Sequence, residues 1–139
     1  MTLRITIPED PSDADRHAVL APLRAYNVGQ AGDARIRPVA LLLIDENGDR
    51  VGGLWGKCSY NWLFVELLAV PEEHRGAAFG KALMDGAEQI ARANACVGIW
   101  LDTYEFQARG FYEKLGYQLF GTLDDHPIGH KRFFLQKRF

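Results

Sequence analysis

Apolar and polar positions alternate at the start of the chain, Leu3-Arg4-Ile5-Thr6-Ile7 before Pro8, which predicts a short first strand over residues 3–7. The period then lengthens. Val19, Leu20, Leu23 and Tyr26 recur on one helical face behind Pro11 and the capping types Ser12 or Asp13, and Gly29 and Gly32 are expected to stop that helix. Val39 through Ile44 is uniformly apolar and reads as a buried strand, followed by the turn Asp45-Glu46-Asn47-Gly48-Asp49. A Gly-rich strand over 50–59, a tight turn at Tyr60-Asn61 and a strand over 62–70 complete an antiparallel meander. Past Pro71 the helical period returns from Gly76 onward, with Phe79, Ala82/Leu83, Gly86/Ala87 and Ile90/Ala91 on one stripe. A strand over 96–101 follows, then a short helix marked by Ala108, Phe111/Tyr112 and Leu115 that stops at Gly116. Two closing strands, 117–122 and 131–137, give the order β-α-β-β-β-α-β-α-β-β. This is an α/β fold with a mixed central sheet flanked by helices, antiparallel early and crossed over once in the middle.

Composition narrows the class without naming a chemistry. A chain of 139 residues without repeat, linker or low-complexity segment is expected to be one domain, 1–139. Sixteen Lys+Arg against 18 Asp+Glu leave a formal charge of −2, which offers nucleic acid or an anionic membrane no general attraction. The apolar runs are too short to span a bilayer, and the N-terminal residues lack the pattern of a signal peptide. Cys58 and Cys96 make no disulfide framework and no CxxC pair, so they are expected to be buried structural thiols in a cytoplasmic protein.

The chemistry-bearing stretch is Leu67-Leu68-Ala69-Val70-Pro71-Glu72-Glu73-His74-Arg75-Gly76-Ala77-Ala78-Phe79-Gly80-Lys81. A buried strand enters a loop of small residues, and that loop opens a helix. The first turn of a helix presents unpaired N–H groups and the positive end of the dipole, and small residues let phosphate oxygens approach the backbone. Close packing of the helix start on the sheet would explain the same small residues. The glycine spacing fits neither a dinucleotide fingerprint nor a P-loop. Only Ser12 and Ser59 are serines, and neither lies in GxSxG, which argues against serine hydrolysis.

A second segment, Phe106-Gln107-Ala108-Arg109-Gly110-Phe111-Tyr112-Glu113-Lys114-Leu115-Gly116-Tyr117, completes a pattern. Together the two segments resemble the GNAT superfamily of acetyl-CoA-dependent N-acetyltransferases. Arg75 through Gly80 correspond to the family's Arg/Gln-x-x-Gly-x-Gly/Ala loop, and Phe111 through Tyr117 to its FYEKLGF-type helix end. The resemblance implies that the strands over 62–70 and 96–101 run parallel and splay, and that the pantetheine arm of acetyl-CoA enters between them. It further implies that the backbone of Leu68, Ala69 and Val70 pairs with that arm, that the Val70 N–H polarises the thioester carbonyl, and that Arg75, Gly76, Ala77, Ala78, Phe79, Gly80 and Lys81 hold the pyrophosphate. Two departures stand out. Ala78 replaces a customary Gly, and Glu105 replaces a customary Asn, for which the neighbouring Gln107 offers a substitute amide.

Within this resemblance Tyr112 is the expected general acid, because a phenol stays protonated at neutral pH and lies near a thiol on the pKa scale. A core tyrosine on the stripe of Ala108 and Leu115 is the plainer reading. Glu66 is the expected general base, as the only charge between Trp62 and Val70 and in strand parity with Leu68 and Val70; a solvated or structural carboxylate is the plainer reading. The implied reaction is direct acetyl transfer from acetyl-CoA to a small-molecule or peptide amine, with no metal. A CoA-binding regulatory module without turnover and a non-catalytic interaction domain are the alternatives, and homodimerisation through exposed strand edges stays open. Asp124, Asp125, His126 and His130 either attract a cationic substrate or simply shape a turn, and Pro127 and Gly129 argue against a helical metal pair. Lys131-Arg132 and Lys137-Arg138 read as protection of an edge strand.

Overall fold

The computed structural model describes every residue except Ala77. By its contacts the chain divides into two compact units, Met1–Ala34 and Arg35–Phe139.

The first unit contains one helix, α1 (Asp13–Ala31). It begins where the sequence supplies a cap: the Ser12 hydroxyl accepts from the Asp15 N–H at 3.1 Å, and the Asp15 carboxylate accepts from the Ser12 N–H at 2.9 Å. Two orphan donors are thus satisfied reciprocally, and these hydrogen bonds hold the Asp15 carboxyl below its usual range. Gly29 does not end the helix. Gly32, at φ 80°, does, with its N–H bonded to the Val28 carbonyl. The expected strand over residues 3–7 is absent, and Leu3, Ile5 and Ile7 are 85%, 94% and 90% exposed. Alternation supplies a side-chain pattern only. A strand also needs a neighbour to take its N–H and C=O groups, and among the described residues of its own unit this segment has no ladder partner.

The second unit is a six-stranded mixed sheet in the order β1-β2-β3-β4-β6-β5, built from β1 (Arg37–Ile44), β2 (Arg50–Ser59), β3 (Trp62–Ala69), β4 (Gly98–Tyr104), β5 (Gln118–Asp124) and β6 (Lys131–Arg138). Its turns follow from their residues. Asp45 Oδ1 accepts from the N–H groups of Asn47 and Asp49 while Gly48 takes φ 83°, and Tyr60 and Asn61 both adopt the left-handed conformation that a two-residue hairpin demands. The helix α2 (Phe79–Ala93) crosses from β3 to β4, which makes that pair parallel. Leu83, Met84, Ala87 and Ala91 on α2 close over Val39, Leu54, Leu63, Val65, Ile99, Leu101 and Leu135 to form the core.

The crossover helix starts three residues later than its period suggested, and β4 runs over 98–104 instead of 96–101. Residues 94–97 form the turn between them: the side chain and backbone of Asn94 bond back to the last helical carbonyls, and Val97 donates to Asn61 O at 2.7 Å. Cys58 and Cys96 are free and buried, and burial together with the neighbouring Cys58 sulfur pushes the Cys96 thiol up to about 11.

The basic pairs at the C-terminus do not protect an edge. β6 lies between β4 and β5, and its charges find partners: Lys131 with Asp124 at 2.9 Å, Arg132 with Asp102 at 2.7 Å, Lys137 with Glu88 at 3.2 Å. Arg138 lies 5.8 Å from the Trp62 ring. Among the described residues no helix is long and apolar enough to cross a membrane.

Candidate active site

The sheet has a built-in gap. β3 and β4 pair only from Trp62↔Gly98 to Val65↔Leu101, although both strands continue, to Ala69 and Tyr104. Residues 66–69 keep β2 as a neighbour on one side, residues 102–104 keep β6 on the other, and no ladder joins them across the middle. The cause lies in β3. Trp55 pairs with Leu67 and the next residue, Gly56, pairs with Val65, so Glu66 is an extra residue, a bulge that bends the strand away from β4. An extended ligand could complete both ladders there. The bulge also interrupts the parity that tied Glu66 to Leu68 and Val70. Val65 and Leu68 now share the core face, and Glu66 is exposed.

At the wide end of the gap the chain forms a short 3₁₀ turn (Glu72–His74) and then enters α2. Arg75 is turned back on the strand end, with Nε donating to the Val70 carbonyl at 3.3 Å. Gly76 takes φ 86° and Ala78 φ 63°, ψ 14°, so this loop twice uses the left-handed region. The helix then starts with no side-chain cap and no acidic residue in its first turn, and its first internal bond is Ala82 N to Ala78 O at 3.1 Å. The contrast with α1, which has a full capping box and two acidic residues in its first turn, is instructive. At α2 the amides of Phe79, Gly80 and Lys81 stand at the positive end of the dipole with no carboxylate in the first turn of the helix. These residues fit a diphosphate. Lys81 is anchored to Asp85 at 2.7 Å, and a groove of about 430 Å³ lined by Leu43, Ile44, Asp45, Glu46, Val51, Pro71, His74 and Phe79 runs beside the helix start.

Gly80 answers the packing alternative. A Cβ there would lie 3.1 Å from Cζ of Phe111, so this glycine is small because α2 approaches the helix α3 (Arg109–Lys114) closely. Ala77 lies outside the described residues.

Tyr112 is buried in the core beside Phe111 and Tyr117, at ring-centroid distances of 5.0 and 6.0 Å. Burial, and secondarily the charge of Asp102, pushes its phenol up to about 12, so it holds its proton across the physiological range. The plainer reading holds: Tyr112 is a core tyrosine, within electrostatic reach of Asp102. Gln107 is committed to the turn after β4, its Oε1 accepting from Tyr104 N at 2.8 Å and Thr103 Oγ1 at 3.0 Å. Glu105 is engaged by His130 Nδ1 at 2.7 Å. Asp125 serves the turn before β6, its Oδ1 accepting from Gly129 N at 3.1 Å.

Sequence reasoning overlooked Asp102. It is the first β4 residue beyond the last β3 pair, it is half-buried, and it holds Arg132. Its signal was available, since it is the lone charge in the run from Val97 to Tyr104.

Comparison with known proteins agrees with this geometry. The profile of the acetyltransferase (GNAT) family matches residues 6–117. An acetyltransferase of Agrobacterium fabrum, Atu2258, is 34% identical over 131 residues, covering 94% of this chain and 96% of its own. The blasticidin-S acetyltransferase of Streptomyces morookaense is 36% identical over 124 residues, covering 88% and 90%. A crystal structure from Agrobacterium tumefaciens, 31% identical, superposes with a TM-score of 0.92 over 99% of this chain and 100% of the other.

Proposed function

Because the chain belongs to the GNAT family of acetyltransferases, we propose that it transfers the acetyl group of acetyl-CoA directly to an amine, with the whole chain 1–139 as the working unit. The observation that carries this reading is the juxtaposition of an open β3/β4 gap with a helix start that has neither a side-chain cap nor an acidic first turn. Acetyl-CoA supplies the activated acetyl group. The residues at 75–81 hold its diphosphate, with Arg75 and Lys81 adding charge to the helix-end amides. The open backbone of Leu68, Ala69 and Val70 aligns the arm as an added strand, and the Val70 N–H polarises the carbonyl that is attacked.

The balance of the reaction is simple. The neutral amine forms a C–N bond, the C–S bond breaks with its electron pair leaving on sulfur, and one proton passes in net from nitrogen to the thiolate. Tyr112 is the proton donor to sulfur. Burial keeps its phenol protonated and also moves it further from a thiol on the pKa scale, so the donation relies on the thiolate being formed unsolvated beside it, and the phenolate left behind regains the proton released by the amine. Glu66, on the bulge at the rim of the gap, receives the amine's proton directly or through water. The similarity to a blasticidin-S acetyltransferase supports a small antibiotic-like amine as acceptor.

The test is thiol release from acetyl-CoA across an amine panel, together with calorimetric titration of CoA. Binding with amine-dependent thiol release is the expected result. Binding without release by any amine would leave a CoA-binding module, and absence of binding would remove the reading altogether.

A further inference from the structure

The helix α1 lacks the support that a helix of its composition needs. Pro22 lies in its interior, where it removes a helical hydrogen bond and crowds the preceding turn, and none of its residues is buried. A helix of this length holds in water chiefly by packing an apolar face, so α1 requires a surface to cover. That face is Val19, Leu23 and Tyr26, at i, i+4 and i+7, each at least 53% exposed. Together with the alternating residues Leu3, Ile5 and Ile7, the unit Met1–Ala34 presents these six apolar side chains to solvent.

The sheet has the converse shortage. α2 and α3 pack on one of its faces, over Leu54, Leu63 and Ile99. Register and alternation put Leu42, Trp55 and Leu67 on the other face, where Trp55 pairs with Ala40 on one side and Leu67 on the other. There they are 52%, 47% and 61% exposed, and the rings of Phe64 and Trp100 stack at 4.2 Å on the same face. A sheet with two apolar faces requires a layer on each, and among the described residues of this unit no helix covers the second. The outer edge of β1 likewise has no ladder partner among them.

One chain therefore carries both halves of a missing contact: an amphipathic helix behind an alternating segment, and an apolar sheet face beside an open strand edge. We propose that two copies of the chain exchange them. Met1–Ala34 of each copy covers the Leu42, Trp55 and Leu67 face of the other, and residues 3–7 add a strand along the second copy's β1. A second copy fits because the exchange is symmetric: each copy gives one arm and receives one, so the assembly closes as a two-fold dimer with no interface left over. The area agrees. Six side chains of the arm and three of the sheet amount to roughly 800 Å² of apolar surface per copy, which is what a specific interface of ordinary size needs. This assembly does not depend on acetyl transfer.

Sedimentation equilibrium is expected to give the wild type twice the 15.6 kDa of the chain at micromolar concentration. Leu23→Glu on the arm and Trp55→Glu on the sheet alter residues that are exposed in the single chain. Each should keep its circular dichroism and weaken the dimer at least 100-fold, by placing a charge in an apolar interface. Leu23→Ala, a milder change, should weaken it several-fold. Leu23→Glu mixed with Trp55→Glu should form a heterodimer at concentrations where neither variant associates alone, because the intact arm of one meets the intact face of the other. Hydrogen exchange should find the amides of residues 3–7 protected in the wild type and unprotected in both monomeric variants. A monomeric wild type overturns the exchange, whether or not residues 3–7 are protected. A dimer that survives both variants overturns it too, as does one that needs Trp55 and not Leu23, which would be sheet packed on sheet. Failure of the two variants to associate when mixed at high concentration also counts against it.

Discussion

Ala78 is the residue where the loop geometry makes its sharpest demand. It sits at φ 63°, ψ 14°, immediately before α2, with a side chain that provides no cap. The left-handed conformation costs an L-residue with a Cβ roughly 1–2 kcal/mol, and glycine avoids that cost. Against this, glycine gives the unfolded chain more freedom, an opposing effect of roughly 0.5–1 kcal/mol. Ala78→Gly is therefore expected to stabilise the protein by about 0.5–1 kcal/mol, a rise in Tm of roughly 2–4 °C for a chain of this length. Ala78→Val, which places a β-branched side chain in the same conformation, should lower Tm by more than glycine raises it. Thermal unfolding with and without saturating CoA measures both effects. Calorimetric CoA affinities then separate backbone strain from contact. If the loop keeps one conformation, relief of strain appears equally in the free and bound protein, and any gain in affinity on Ala78→Gly reports the removed methyl near the phosphates. A lower Tm for Ala78→Gly, or a higher one for Ala78→Val, would refute the assigned loop geometry.

Tyr112→Phe should cut kcat by about 100-fold or more while CoA affinity stays within a factor of two, measured by steady-state kinetics and calorimetry; unchanged kcat would remove its role as acid. The phenol of Tyr112 titrates at about 12, whereas an unfolded tyrosine ionises near 10, so folded stability falls as pH rises from about 10 to 12, by about 3 kcal/mol for this group alone. Tyr117, pushed upward first by burial and then by Glu88, adds to the same alkaline loss, and denaturant midpoints across that range for wild type and Tyr112→Phe measure it. Gly80→Glu should abolish measurable CoA binding and also lower Tm, because its Cβ meets Phe111; a lowered Tm with intact CoA affinity would assign Gly80 to packing only. Ser12→Ala should cost about 1 kcal/mol by removing the α1 cap, read by thermal unfolding.

The legible part of the fold was the part governed by local chemistry. Asp45 to Asp49, Tyr60-Asn61, the Ser12 cap and the α2 stripe each carry their cause within a few residues, and the structure follows them. What escaped depends on partners distant in sequence. Residues 3–7 alternate correctly and still form no strand, because within their own unit no described residues offer them a ladder. The Glu66 bulge arises from the register of β2 against β3, which no pattern within β3 announces. β6 was read as an edge because its basic pairs were visible and its position between β4 and β5 was not. At the site, the uncapped start of α2 was readable from small residues before an apolar helix. The commitments of Gln107 to Thr103 and Tyr104, and of Glu105 to His130, needed three dimensions.

The central claim, that the start of α2 grips the diphosphate of acetyl-CoA, is tested most directly by following backbone amide resonances during a CoA titration. The largest shifts are expected at Phe79, Gly80 and Lys81, with smaller ones along residues 66–70. Saturation by CoA that moves other amides and leaves these three in place would contradict it.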